Sequence, residues 1–175
     1  AAYAAVDTHV LAEQMGEFGK LLHAGLGNAD VLPAALSREE LSAGFRQLGL
    51  GRGDAVEVHS SLSSLGHVDG GAAAVIQALV DVVGEEGAIV MSAYPVTLPL
   101  PLTEAEKQRG IIAKVRFLDV NSPEKTGMGA IADAFRSWPG AVLGPGFHRV
   151  CAWGKDAELH SQGYRHLLAL DGWAF

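Results

Sequence analysis

Three places in this sequence hold side chains that could do chemistry. The first is residues 59–66, HSSLSSLG, where the hydroxyls of Ser60, Ser61, Ser63 and Ser64 stand among small side chains that leave backbone N–H groups exposed. Exposed amides and hydroxyls suit a phosphate or an amide carbonyl. No Lys or Arg lies between Gly53 and Gly87, so recognition there is expected to use amides and hydroxyls in place of cations. The second place is residues 124–129, EKTGMG, which set Lys125, Thr126 and two glycines in front of a helical pattern. That is a second anion-binding corner or an ordinary glycine-permitted helix start, and both readings stay open. The third is GFHRVCAWG, whose His148 is the histidine best placed for a site outside the serine loop. Its neighbour Arg149 could meet a phosphate or a surface carboxylate.

Other chemistries fit these residues less well. A Ser–His hydrolase needs a strained nucleophile elbow, and His59 and Ser60, adjacent on an extended chain, point to opposite faces. His59 itself reads as a structural hydrogen-bond partner or a proton carrier. His148, Cys151 and His160 supply three metal-ligating side chains, but at loose spacing and with Cys151 on an apolar strand where a buried thiol is ordinary. A plain polar turn is the alternative for residues 60–64.

The flanking elements are what make the serine loop a candidate site. Residues 55–58 are apolar and β-prone, residues 69–83 place Ala72, Val75, Ile76, Leu79, Val82 and Val83 at helical spacing, and residues 88–91 are apolar again. Strand, helix and strand at this spacing make a parallel pair with a right-handed crossover. The serine loop then falls at the carboxyl end of the first strand, where open α/β sheets bind ligands. Asp69 is expected to cap the helix. The motif LGLGRGD at 48–54 precedes a strand where a dinucleotide fingerprint must follow one, and is rejected.

Elsewhere, residues 3–22 carry apolar side chains near helical spacing and predict an amphipathic helix, so residues 1–36 are expected to form a helical extension to an α/β domain over 37–175. Ser37 with Glu40 fits a capping box before a helix that Gly49 ends, and Thr103 with Glu106 fits another. Residues 92–110 are proline-rich and read as a substrate loop or lid. A strand is expected over 111–120, a helix over 127–138, a buried strand over 150–153, a short helix over 155–160, and the approach to another strand over 167–173. Together these predict an α/β, three-layer fold: a mixed, mostly parallel sheet of about five or six strands with helices on both faces.

With 49% apolar and 19% charged residues in 175, the chain has material for one real core. A formal charge of −7 and the lack of a basic patch argue against nucleic acid and acidic membrane surfaces, while tolerating a cationic small molecule. The single cysteine excludes an intrachain disulfide, no apolar run reaches membrane-spanning length, and residues 1–26 lack the pattern of a signal peptide. A cytoplasmic setting is expected, with the N-terminal helix serving the domain or a homodimer contact.

VHSSLSSLG, the helix and strand after it, TGMGAIADAFRSWPG, HRVCAWG and the final LDGW, in that order, resemble the aminoglycoside 3-N-acetyltransferase family over roughly residues 37–173. That fold is distinct from the acetyltransferase fold built on a Q/R-x-x-G-x-G/A loop, a pattern absent here. The resemblance implies acetyl-CoA as cosubstrate, no metal, and acetylation of an amine on an aminoglycoside or similar polar cationic acceptor, in antibiotic resistance or biosynthetic tailoring. It carries coenzyme contacts over to His59, Ser60, Ser61, Leu62, Ser63, Ser64, Leu65 and Gly66, and to Lys125, Thr126 and Met128. His67, where many relatives have an aromatic residue, is expected at the mouth of the pocket. His148 is the one catalytic candidate, although Pro145 stands where many relatives carry a further histidine. The family's general-base histidine and carboxylates follow LDGW, and the chain ends at Phe175 before them. It is therefore expected to be C-terminally truncated relative to the family, with a CoA-binding or structural piece lacking turnover as the alternative.

Overall fold

The structure is a computed structural model that describes residues 4–7, 35–119 and 122–162. Its centre is the parallel pair β2 (Ala55–His59) and β3 (Ala88–Ser92), joined by α2 (Gly71–Val83). Val56 pairs with Ile89 and Val58 with Met91, so all four side chains point to one face, where they are buried. Against that face lie Val75, Ile76, Leu79, Val82 and Val83 of α2, which form one continuous core with it. Gly87 is required at the turn into β3, because a Cβ there would lie 2.6 Å from the Asp54 carbonyl oxygen.

The remaining elements extend this unit. β5 (Val150–Gly154) runs antiparallel to β3, and β4 (Val142–Leu143) antiparallel to β5. With β1 (Ala4–Asp7) parallel to β2, the described strands form one sheet in the order β1-β2-β3-β5-β4. Helix α1 (Arg38–Gln47) starts at the Ser37/Glu40 capping box and packs on α2, burying Leu41 and Phe45. Its Arg38 makes a two-point contact with Asp81 of α2. Helix α4 (Ala130–Phe135) packs on α2 and β3 through Ile131 and Phe135. Helix α5 (Ala157–Ser161) lies against β3, β4 and β5, and its buried Ala157 stands outside the core that α1, α2 and α4 share. The expected α/β fold, with a mixed sheet and helices, is thus present.

Three local expectations are corrected. Ala4–Asp7 is a strand where an N-terminal helix was expected; the rest of 3–22, and the strand approach at 167–173, lie outside the described residues. Residues 111–119 form no strand. They run back along 95–100 through the Val96–Phe117 bridge and hydrogen bonds from Thr97 N–H to the Arg116 carbonyl and from Leu100 N–H to the Lys114 carbonyl. Ile112, Val115 and Phe117 are exposed, so burial never fixes a ladder there. Finally, Gly70 and not Asp69 is the N-cap of α2, in the left-handed region at φ 78°.

At the far end of this excursion sits α3 (Glu104–Gln108), started by the Thr103/Glu106 capping box. Lys114 Nζ holds Glu106 at 2.8 and 3.0 Å, and that contact, with help from Thr103, brings the Glu106 carboxyl down to about 2.

A cleft at the carboxyl edge of the sheet

The serine loop leaves β2 at the carboxyl end of the parallel pair and turns through one 3-10 helix, Leu62–Leu65. A tight turn of this kind leaves its first N–H groups without internal acceptors. Ser64 N–H donates to the Ser61 carbonyl and Gly66 N–H to the Ser63 carbonyl, while no hydrogen bond among the described residues engages the N–H of Leu62 or Ser63. The Ser61 and Ser63 hydroxyls lie 3.1 Å apart. Gly66 closes the turn at φ 77°, a conformation other residues adopt only with strain.

Opposite the loop stands the start of α4. Gly129, at φ 96°, leads into the helix with no side-chain cap, and a Cβ at that position would meet the Ser60 carbonyl oxygen at 3.6 Å. Between the two walls lies a cleft of about 610 Å³ lined by Ser60, Ser61, Leu62, Ser63 and Gly66 on one side and residues 127–130 on the other. That volume falls within the roughly 300–1,000 Å³ common to small-molecule sites. Among the described residues the lining carries hydroxyls, amides and the apolar Leu62 and Met128, and no ionisable side chain.

The helical wall is held by a lock that sequence reasoning missed. Thr126, 2% exposed, donates its N–H to both Asp133 carboxylate oxygens and its hydroxyl to one of them at 2.8 Å. The same hydroxyl accepts the Met128 N–H at 3.1 Å. Arg136 approaches Asp133 at 3.3 Å and donates to the Glu124 carbonyl. An acidic residue in the first turn of a helix that follows a Thr-Gly pair was the available signal.

The other sequence candidates take different places. Ser64, Leu65, Lys125 and Thr126 are not among the cleft's lining residues. Leu65 packs against the core and Lys125 is exposed. His59 is exposed too, its Nε2 3.5 Å from Glu57 on the same face of β2. His67 is exposed and gives its carbonyl to Leu36 N–H. Together with the Asp69 N–H to Leu36 carbonyl bond, this pins residues 67–69 beside Leu36, and the start of α2 does not line the cleft. His148 belongs to an aromatic cluster with Tyr94 and Phe147. Arg149 is 3% exposed: its Nε donates to the Ala93 carbonyl at 2.8 Å, and desolvation pulls its pKa down from the ordinary arginine value. It is thus not a surface ion-pair partner, and its buried Nη2 has no hydrogen-bond partner among the described residues.

Cys151 is fully buried, with its thiol directed at the Phe135 carbonyl, and burial pushes its pKa up to about 11. Among the described residues no group of His, Cys, Asp and Glu could hold a metal ion, and no helix is long and apolar enough to cross a membrane.

A family model for aminoglycoside 3-N-acetyltransferases matches residues 58–167, a span that contains both walls of the cleft. The chain belongs to this family. The aminoglycoside N(3')-acetyltransferase-like protein YokD of Bacillus subtilis strain 168 is 41% identical over 128 residues, covering 68% of this chain and 47% of YokD. The crystal structure of YokD superposes with a TM-score of 0.53 at 37% identity, over 72% of this chain and 51% of its own. Two more distant neighbours share the fold: AAC-IIIb, solved as a binary complex with CoASH (TM-score 0.56, 22% identity, 76% of this chain and 51% of that one), and AAC-VIa bound to sisomicin (0.55, 24%, 74% and 50%). The chain spans about half the length of the YokD protein it matches.

Proposed function

We propose that the cleft between residues 60–66 and 127–130 holds the coenzyme A part of acetyl-CoA, and that the complete protein acetylates an amine of an aminoglycoside or similar polar cationic acceptor. The observation that carries this reading is the cleft wall: the unengaged N–H groups of Leu62 and Ser63 and the hydroxyls of Ser60, Ser61 and Ser63, gathered beside apolar Leu62 and Met128. The pantetheine arm of CoA is a chain of amides and methylenes, and such a wall suits both. No cation is among its described lining residues, so the phosphates are better served where the cleft opens to solvent. The CoASH bound to AAC-IIIb and the sisomicin bound to AAC-VIa support the choice of cosubstrate and acceptor class.

Acetyl-CoA supplies the thioester. In the transfer an amine nitrogen bonds to the acetyl carbon, the carbon–sulfur bond breaks, the amine gives up a proton and free CoA thiol leaves. The contribution of these residues is binding and orientation: the loop amides fix the arm, and the Thr126–Asp133 lock keeps the opposite wall in place. A second reading, CoA binding without turnover in this chain, is favoured by the lack of any ionisable side chain on the described lining, since removal of an amine proton needs a base.

The test is release of free CoA thiol from acetyl-CoA with a panel of amines. Turnover with amino sugars supports transfer. Saturable CoA binding with no thiol release on any amine leaves the binding reading and rejects transfer by this chain.

A further inference from the structure

The proline-rich excursion leaves the sheet and returns to it at one side chain. It starts after Ala93, which carries the β3–β5 pairing one residue past Ser92 and Val150: the Ala93 N–H donates to the Arg149 carbonyl at 3.0 Å. The Arg149 Nε donates back to the Ala93 carbonyl at 2.8 Å. The returning limb ends close by, with the Leu118 N–H on the Pro95 carbonyl at 2.8 Å and the Asp119 carboxylate offsetting the Arg149 charge. One guanidinium thus serves both roots of residues 94–118.

Those roots back the cleft wall. Gly127 N–H donates to the Val96 carbonyl at 2.8 Å, and a Cβ on Gly127 would lie 3.1 Å from the Thr97 carbonyl oxygen. Thr97 is itself fixed, its N–H donating to the Arg116 carbonyl and its hydroxyl accepting the Arg116 N–H at 3.1 Å. Residues 96–97 therefore press on Gly127 from behind, while the Thr126–Asp133 lock holds the same wall from the helix side.

Arg149 is an expensive residue to place here. It is 3% exposed, its Nη2 has no hydrogen-bond partner among the described residues, and the Arg136 charge opposes its own. Burying a charged group with a donor unpaired is unfavourable, and an apolar side chain in its place would avoid that penalty. An apolar side chain would also leave the carbonyl of buried Ala93 without its donor. The function that offsets the penalty is the hold on the excursion.

We propose that Arg149 is a positioning residue for the coenzyme cleft: by fastening both roots of the excursion it keeps residues 96–97 against Gly127 and so sets the wall that faces the serine loop. It is not among the cleft's lining residues and acts through the backbone of residues 93–97. The inference rests on the coenzyme reading, so the experiment follows the wall and the ligand separately.

Amide exchange is measured by NMR, and CoA is titrated calorimetrically, for the 175-residue chain, Arg149→Met and Arg149→Lys, with thermal unfolding as a fold control. In Arg149→Met the Gly127 and Leu118 amides should exchange about tenfold or more faster while those of β2 and β3 stay within about twofold. CoA should bind about three- to tenfold more weakly. Arg149→Lys, which keeps a cationic donor for the Ala93 carbonyl, should recover most of both effects. In the wild type the Gly127 and Leu118 amides should open together with one denaturant dependence, and independent opening overturns the proposal even where Arg149→Met fails to fold. Unchanged CoA affinity in Arg149→Met overturns it while the coenzyme reading stands. A wild type that binds no CoA, with Gly127 exchange still set by Arg149, supports the hold on the wall and overturns the coenzyme reading.

Discussion

The carboxylate of Asp133 accepts the Thr126 N–H at 3.0 and 3.1 Å and the Thr126 hydroxyl at 2.8 Å, seven residues back along the chain. This pairing closes residues 126–133 into a fixed corner, with Gly127, Met128 and Gly129 held at its edge facing the serine loop. Because Thr126 is buried, loss of the acceptor leaves a desolvated N–H and hydroxyl unsatisfied. Asp133→Ala is expected to lower stability by about 1–3 kcal/mol. It should also weaken CoA binding, and Asp133→Asn, which keeps one acceptor oxygen, should fall between Ala and wild type. Denaturant unfolding and CoA titration check the two effects, and unchanged CoA affinity in Asp133→Ala would separate the lock from the cleft.

Glu106 links the tip of the proline-rich excursion to its returning limb through Lys114. The Lys114 hydrogen bond, and then the Thr103 N–H and hydroxyl, pull its carboxyl down from the ordinary 4.5 to about 2. A value depressed in the folded chain means that the contact stabilises above the unfolded-state pKa and fades as pH falls from there through the folded value. NMR titration of Glu106 should find a midpoint near about 2. Lys114→Met should move it back toward the ordinary carboxylate range.

Cys151 lies on β5 in the core, and burial holds its thiol near about 11. The thiolate is the reactive form, so the native chain should resist alkylation by iodoacetamide at pH 8 and react fully once unfolded. Rapid labelling of the native chain would contradict this packing.

The parts of the fold legible in the sequence were those set by neighbours in the chain. The β2–α2–β3 unit announced itself through apolar periodicity, and both capping boxes through Ser37/Glu40 and Thr103/Glu106. Residues 111–119 misled because an alternation of apolar side chains predicts a strand only when one face is covered, and Ile112 and Phe117 are open to solvent. The serine loop and the EKTGMG corner were each visible as ligand-binding stretches, but their meeting across one cleft depends on α4 packing against α2 and β3, which no local pattern encodes. The aromatic cluster of Tyr94, Phe147 and His148 is less legible still, because its rings come from two segments far apart in the chain. Asp69 illustrates the opposite failure: the residue type fitted a cap, and glycine in the left-handed region took the position.

The coenzyme reading turns on the two unengaged amides at Leu62 and Ser63 and the room beside them. Ser61 lines that room, so Ser61→Trp puts an indole where the pantetheine arm would lie. Calorimetric titration of CoA is the most direct measurement. The wild type should bind saturably at one site, and Ser61→Trp, with an unchanged unfolding midpoint, should bind about tenfold or more weakly. Equal affinity in the two chains, or no binding by either, would contradict the account.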